Sequence, residues 1–294
     1  MTPMILTLAR SRILLLSLTG VLLIGMNTSR SLAQGFSVSY DENEFVVSPG
    51  DSFTATIYVR NMSEETLTLK IYPGDWVRVP GQTSGYEFDE EGGREDRSFL
   101  GWMTFSPDRM VLEPGEAGDV FCDINVPDDP DLQGSYWGVV FIEDSPEERI
   151  ENETSSDAGT VVGILTAFRY AVQIYATIEN SAVRDATFTS IDFQAVDEGF
   201  EVIAVLENKG NIFLRPEVRL ELRDAYGNSV FEQEHVRQTI LPESSREYVF
   251  QLTNLPVEPG PYLVMVVADY GVPTLIAAQG RVIIESSKAD QAEE

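Results

Sequence analysis

The stretch Val161 to Ile178, VVGILTAFRYAVQIYATI, constrains this chain more than any other. Its even positions are Val162, Ile164, Thr166, Phe168, Tyr170, Val172, Ile174, Ala176 and Ile178, an apolar or aromatic row broken only by Thr166. Its odd positions are smaller or more polar, with Arg169, Gln173 and Thr177 among them. A repeat of two places these sets on opposite faces of a β-strand, and the β-branched and aromatic content suits one. The rival is a membrane helix, which needs about 17–25 apolar residues. Arg169 stands at the middle of the run, where a charge costs about 2.5–3.5 kcal/mol on insertion. The period and the charge together predict a strand.

The first 33 residues read as a signal peptide. Arg10 and Arg12 give a positive start, Ile13 to Met26 is an uncharged apolar run, and Ser31-Leu32-Ala33 offers small residues for cleavage. The mature chain is expected to begin near Gln34, to be exported, and to contain no membrane span. The leader holds three arginines and no acid, which leaves 17 basic against 48 acidic residues, a net charge of −31. Such a surface repels nucleic acid and anionic lipid, and it keeps a protein soluble in salt. The single cysteine, Cys122, permits no intramolecular disulfide. Stability must therefore come from burial, for which the remaining length suffices in two ordinary domains.

Upstream of the long strand, short alternating segments recur between turn signals. Phe36–Tyr40 and Glu44–Val47 lead to the turn Ser48-Pro-Gly-Asp51. Phe53, Ala55, Ile57 and Val59 share one face, and Leu67, Leu69 and Ile71 form the next. The segment Pro80–Arg97 reads as an exposed acidic insertion or long hairpin. Its carboxylates raise the possibility of calcium, but the spacing of a calcium loop is missing. Val120, Cys122, Ile124 and Val126 alternate, so Cys122 is expected to be a small buried residue. Ser135–Ile142 is a continuous apolar run, as in a central strand, and an acidic loop from Glu143 to Asp157 follows. This spacing predicts a β-sandwich over residues 35–180.

The order of these motifs resembles PapD-like periplasmic pilus chaperones. FVVSPGDSFTATIYVRNMSEETLTLKI at 45–71 is similar to that family's opening strands, and WMTFSPDRMVLEPGEAGDVFCDINVP at 102–127 to its middle. GSYWGVVFIED at 134–144 and LTAFRYAVQIYA at 165–176 look like the last two strands of its first immunoglobulin-like domain. The resemblance implies that the last strand can lend alternating apolar side chains to an incomplete, pilin-like subunit. In that family an arginine on the first strand and a lysine on the last hold the subunit's terminal carboxylate. Here the first-strand region carries Glu42, Asn43 and Glu44, and Val172 or Gln173 stands where the lysine is expected. Arg169 is the only cation on the strand, in another register. The resemblance therefore implies the fold and strand donation, without the carboxylate anchor.

Residues 181–285 read as a second sandwich, similar to immunoglobulin-like modules of bacterial exported proteins. Phe200–Leu206 precedes the turn Glu207-Asn-Lys-Gly-Asn211. Val218, Leu220 and Leu222 alternate with Arg219, Glu221 and Arg223, predicting one buried and one solvated face. Asp224-Ala-Tyr-Gly227 is a hairpin turn, and strands are expected at Tyr248–Leu252, Tyr262–Tyr270 and Leu275–Ile284. The tail, 286–294, is acidic and expected to be disordered.

No catalytic constellation stands out. His235 is the only histidine and lies in a charged strand, expected to be exposed. Neither a phosphate loop nor a nucleophile-elbow motif is present. The sequence predicts an all-β protein of two immunoglobulin-like sandwiches, without enzymatic activity, metal or cofactor. It is expected in the periplasm or at the cell surface, binding another envelope or surface protein by strand addition. Phe168, Tyr170, Val172 and Ile174 are the expected contact row; facing inward, the same row would be core. The alternatives are an assembly chaperone of the pilus type or a calcium-stabilised adhesive module.

Overall fold

The computed structural model describes residues 35–78, 86–90, 96–145, 167–196, 199–253 and 255–284. The expected signal segment and acidic tail, most of the loop 143–157, and residues 161–166 of the long stretch lie outside them. Among the described residues the chain is built from strands, with one 3-10 turn at Leu100–Trp102.

Ten strands form the first sandwich: β1 (Phe36–Tyr40), β2 (Glu44–Val47), β3 (Ser52–Asn61), β4 (Leu67–Arg78), β5 (Tyr86–Asp89), β6 (Met103–Ser106), β7 (Arg109–Leu112), β8 (Ala117–Asn125), β9 (Ser135–Asp144) and β10 (Arg169–Ile178). One sheet runs β1-β3-β8-β6 and the other β2-β10-β9-β4-β5, with β7 also on β4. Alternation places Ala55, Ile57 and Val59 of β3 and Val120, Cys122 and Ile124 of β8 against Leu69, Ile71, Val140, Ile142 and Ile174. Seven strands form the second: β11 (Ala186–Val196), β12 (Gly199–Asn208), β13 (Glu217–Arg223), β14 (Ser229–Glu234), β15 (Ser244–Thr253), β16 (Gly260–Asp269) and β17 (Ile276–Ile284). Its sheets are β11-β12-β15 and β14-β13-β16-β17. Val202, Ala204, Leu206, Leu220, Tyr248, Phe250, Val264 and Val266 fill the space between them. The protein is thus all-β, two immunoglobulin-like sandwiches in sequence.

Each sandwich repeats one polar device. At the end of β3 the fully buried Asn61 donates to the carbonyls of Glu65 (2.7 Å) and Leu112 (2.9 Å), and its Oδ1 accepts from the Ser63 N–H (2.8 Å). At the end of β12 the fully buried Asn208 donates to Ile212 (2.8 Å) and Ile240 (3.0 Å) and accepts from the Gly210 N–H (2.9 Å). In both, one amide serves backbone groups that leave the ladder at a turn and would otherwise be buried without a partner.

Between the sandwiches lies a third apolar cluster, Trp76, Trp137, Tyr175 and Leu241, with Phe88 and Phe213 against it. The Trp137 indole N–H donates to the Trp76 carbonyl (3.1 Å). Tyr175 meets Trp76 edge-on at 6.2 Å and Phe213 at 4.4 Å. Phe213 and Leu241 belong to the second sandwich, so β10 is buried on both faces: Val172, Ile174 and Ile178 inward, Tyr175 toward the second sandwich.

Three expectations need correction. Tyr175, on the row read as smaller and polar, is wholly buried, because a neighbouring sandwich covers that face. Glu221, expected on a solvated face, is 5% exposed. It is held between Arg219 (3.0 Å) and Arg223 (2.6 Å), whose bonds pull its carboxyl pKa down. His235 is half-buried, with its ring edge-on to Tyr248 at 5.0 Å and Phe250 at 5.6 Å.

Candidate partner-binding edge

The neighbours of β10 follow from how the chain enters the sandwich. β1 pairs with β3 in one sheet, then Asp41–Asn43 carry the chain across to β2 in the other. This crossing sets how much of β10 is covered. β2 runs parallel to β10 only from Tyr175↔Glu44 to Ile178↔Val47. On its other side β10 pairs with β9 along its length, from Arg169↔Glu143 to Thr177↔Ser135.

The direction of each main-chain group follows from two bonds. The Phe168 carbonyl accepts from the Asp144 N–H (3.0 Å), and the Tyr175 N–H donates to the Asn43 carbonyl (2.8 Å). Even-numbered residues therefore bond β9, and odd-numbered residues point the other way. The Gln173 carbonyl takes the Asn43 side-chain amide (2.9 Å). The N–H and C=O of Arg169 and Ala171, and the N–H of Gln173, face no paired strand among the described residues. Among the described residues these groups thus have no neighbouring strand, and their spacing is that onto which a strand can add.

The expected contact row divides along this edge. Phe168 is 42% exposed. Tyr170 is half-buried, its ring 5.0 Å from that of Phe36. Val172 and Ile174 are 5% and 1% exposed and belong to the first core. Their side chains point between the sheets because even positions face the opposite sheet, so only their main chain lies beside the edge. Arg169 does not project freely from it. Its guanidinium lies 4.7 Å over the Phe141 ring, donates to Tyr72 Oη (3.3 Å) and pairs with Glu90. These bonds raise the Arg169 pKa, Tyr72 contributing most. Burial and the bond from its own hydroxyl to Glu143 (2.5 Å) raise the Tyr72 pKa.

At the far end of β10 a cleft of about 470 Å³ opens between the sandwiches. Its cations come from neither β2 nor β10. Arg215, after β12, lies 5.0 Å over the Tyr175 ring and pairs with Glu44 of β2; Arg184 and Arg237 line the cleft beside it. Arg237 pairs with Glu217, and burial lowers the Arg215 pKa. No spacing in the sequence brings residues 184, 215 and 237 together. Only the placement of the second sandwich does.

Cys122 is fully buried, and burial pushes its thiol up to about 12. Among the described residues no three His, Cys, Asp or Glu side chains are grouped to hold a metal ion, and no helix is long and apolar enough to cross a membrane.

No protein-family model matches the chain, and no curated protein matches it in sequence. Among solved structures it is similar to one described as "Chaperone-tip adhesin complex is vital for synergistic activation of CFA/I fimbriae biogenesis". That match has 13% identity and a TM-score of 0.41, covering 85% of this chain and all of the other. The CsuC-CsuE chaperone-tip adhesion subunit complex of Acinetobacter baumannii matches at 10% identity and a TM-score of 0.43, covering 85% and 97%. The Pseudomonas aeruginosa CupB2 chaperone matches at 11% and 0.38, covering 84% and 99%. At such identities and scores the likeness says nothing of what this chain binds.

Proposed function

We propose that this protein is a non-catalytic, exported binding protein that takes an extended segment of another envelope or surface protein onto the open edge of β10. The observation that carries this reading is the half-covered strand. β2 stops at Tyr175↔Glu44 while β9 continues to Arg169, which leaves the N–H and C=O of Arg169 and Ala171 and the N–H of Gln173 for an incoming strand. Main-chain bonds would give affinity, and side-chain contacts specificity. Phe168 and Tyr170 are the side chains placed to touch the guest; Val172 and Ile174 contribute backbone.

A second reading, an assembly chaperone of the pilus type, is favoured by the cleft. The resemblance implies one cation on the first strand and one on the last; here Arg184, Arg215 and Arg237 instead supply guanidinium groups in the cleft at the far end of β10. Arg215 is already engaged by Glu44, so a guest carboxylate would have to displace it.

A photo-crosslinking residue in place of Tyr170, used in the native host, tests the proposal. Capture of one defined envelope protein supports a dedicated binding role, and brief capture of several newly made subunits supports the chaperone. A correctly folded protein that captures nothing overturns the edge as the binding site.

A further inference from the structure

The boundary between the covered and uncovered parts of β10 is made by one side chain. In a parallel ladder a residue donates its N–H to one residue of the neighbouring strand and accepts from the residue two further on. The chain around β2 keeps that rhythm: Glu179 donates to the Val47 carbonyl (2.8 Å) and Tyr175 to the Asn43 carbonyl (2.8 Å). The next acceptor, the Gln173 carbonyl, would take the main-chain N–H of residue 43. It takes the Asn43 side-chain amide instead (2.9 Å). A side-chain amide offers a donor like that of a peptide but carries no chain onward. The ladder is therefore closed at Gln173, while the main chain crosses from β1 at Asp41–Asn43.

This cap is fixed in place. Glu44, the next residue, pairs with Arg215 of the second sandwich; Phe45 stacks on Phe53 at 4.1 Å; and Val47 is buried in the first core. Gln173 is held too, since the wholly buried Tyr175 donates its hydroxyl to Gln173 Oε1 (3.0 Å). Satisfying a single carbonyl beside solvent requires only water. The carbonyls of Arg169 and Ala171, on the same side of β10, carry no such cap among the described residues. What the Asn43 amide adds is a boundary, because it occupies the acceptor that the next residue of an incoming strand would need.

We infer that Asn43 sets the register of the guest on β10: the last bond of an added strand is a guest carbonyl on the Gln173 N–H, and the strand goes no further toward β2. The inference rests on the reading of β10 as the binding edge. It limits the paired segment to the stretch from Arg169 to Gln173, about 13 Å at roughly 3.3 Å per residue, or about five guest residues. A slip of one residue would turn the guest's side chains to the opposite face, so a guest released from the stop moves by two.

The test uses the full exported chain in its native host, with the photo-crosslinking residue at position 170, and maps by mass spectrometry which residue of the captured protein carries the cross-link. Asn43→Ala removes the amide, and Asn43→Asp keeps its size while replacing the donor by an acceptor. In both, the main chain of residue 43 still accepts from Tyr175, so protection of the Tyr175 N–H in amide exchange checks that β2 stays in place. With Asn43 present, one guest residue should carry the cross-link. Each variant should add a second site, shifted by two residues in the guest sequence. One and the same site in all three proteins, or a lower yield of capture without a shift, would overturn the inference and leave the edge reading standing. Loss of Tyr175 protection in both variants would show that Asn43 holds β2 rather than stops a guest, and would overturn it too. Capture of nothing by any of the three overturns both the inference and the reading it rests on.

Discussion

The two sandwiches close on strands of similar character and opposite fate. β10 and β17 lie in the two longest acid-free stretches downstream of Asp41. Yet β10 is buried on both faces around Tyr175, and β17 keeps one row in solvent. The difference lies outside the strands. The outer face of β10 receives Phe213 and Leu241 from the second sandwich, and nothing described covers the outer row of β17. Elsewhere the sandwiches agree, down to the buried asparagine that ties the end of β3 or β12 to a distant turn. A shared architecture thus fixes the corners, and neighbours decide which faces are core.

The largest expected effect comes from removing that neighbour contact. Trp137→Ala deletes the centre of the cluster between the sandwiches and should cost about 3–5 kcal/mol, as for other buried aromatics. Calorimetry should show the first sandwich melting earlier, apart from the second. One transition at the original midpoint would mean that the cluster couples nothing.

Asn61→Ala and Asn208→Ala test the equivalence of the corners. Each strands two carbonyls and one N–H, and should cost about 2–4 kcal/mol. Matching shifts in urea midpoint would support equivalence; a loss confined to one sandwich would break it.

Alkaline pH separates the cores. Below pH 9 the Cys122 thiol is neutral in both folded and unfolded chains, and its contribution is complete. Because burial raises the folded value to about 12, the unfolded chain ionises first as pH rises from 9 to 12. Stability should then fall, by about 1 kcal/mol per pH unit in that window. Urea midpoints at pH 8 and 10 would show it, and Cys122→Ala should flatten the difference. Burial also raises the Tyr248 phenol of the second core, whose ordinary value is 10, so that core responds later. The smallest effect is expected from Arg169→Gln. It removes a half-exposed cation from Phe141 and Glu90 and should cost under about 1 kcal/mol by thermal melting.

Much of this fold is legible in the sequence because a strand with one wet face writes its burial as a period of two. β3, β8 and β13 show their inward rows that way, and β9, buried on both faces, shows an unbroken apolar run. What the period cannot show is a face covered by residues distant in sequence. Tyr175 sits among Arg169, Gln173 and Thr177 and reads as solvated until Phe213 and Leu241 are placed on it. Glu221 likewise reads as solvated because its partners, Arg219 and Arg223, share its strand without announcing a clamp. The candidate edge was legible as a strand, but not as an edge. Among the described residues, how far β10 is covered depends on where Asp41–Asn43 cross between sheets, and no side-chain pattern within β10 records that.

Amide hydrogen exchange along β10 in the isolated protein, read residue by residue by NMR, tests the open edge most directly. The N–H groups of Val172 and Ile174 bond β9 and should be protected as in a stable core, whereas that of Ala171 should exchange as fast as a loop amide. Protection of Ala171 equal to that of Val172 would mean that a strand of this same chain already occupies the edge, and the proposed binding site would be closed.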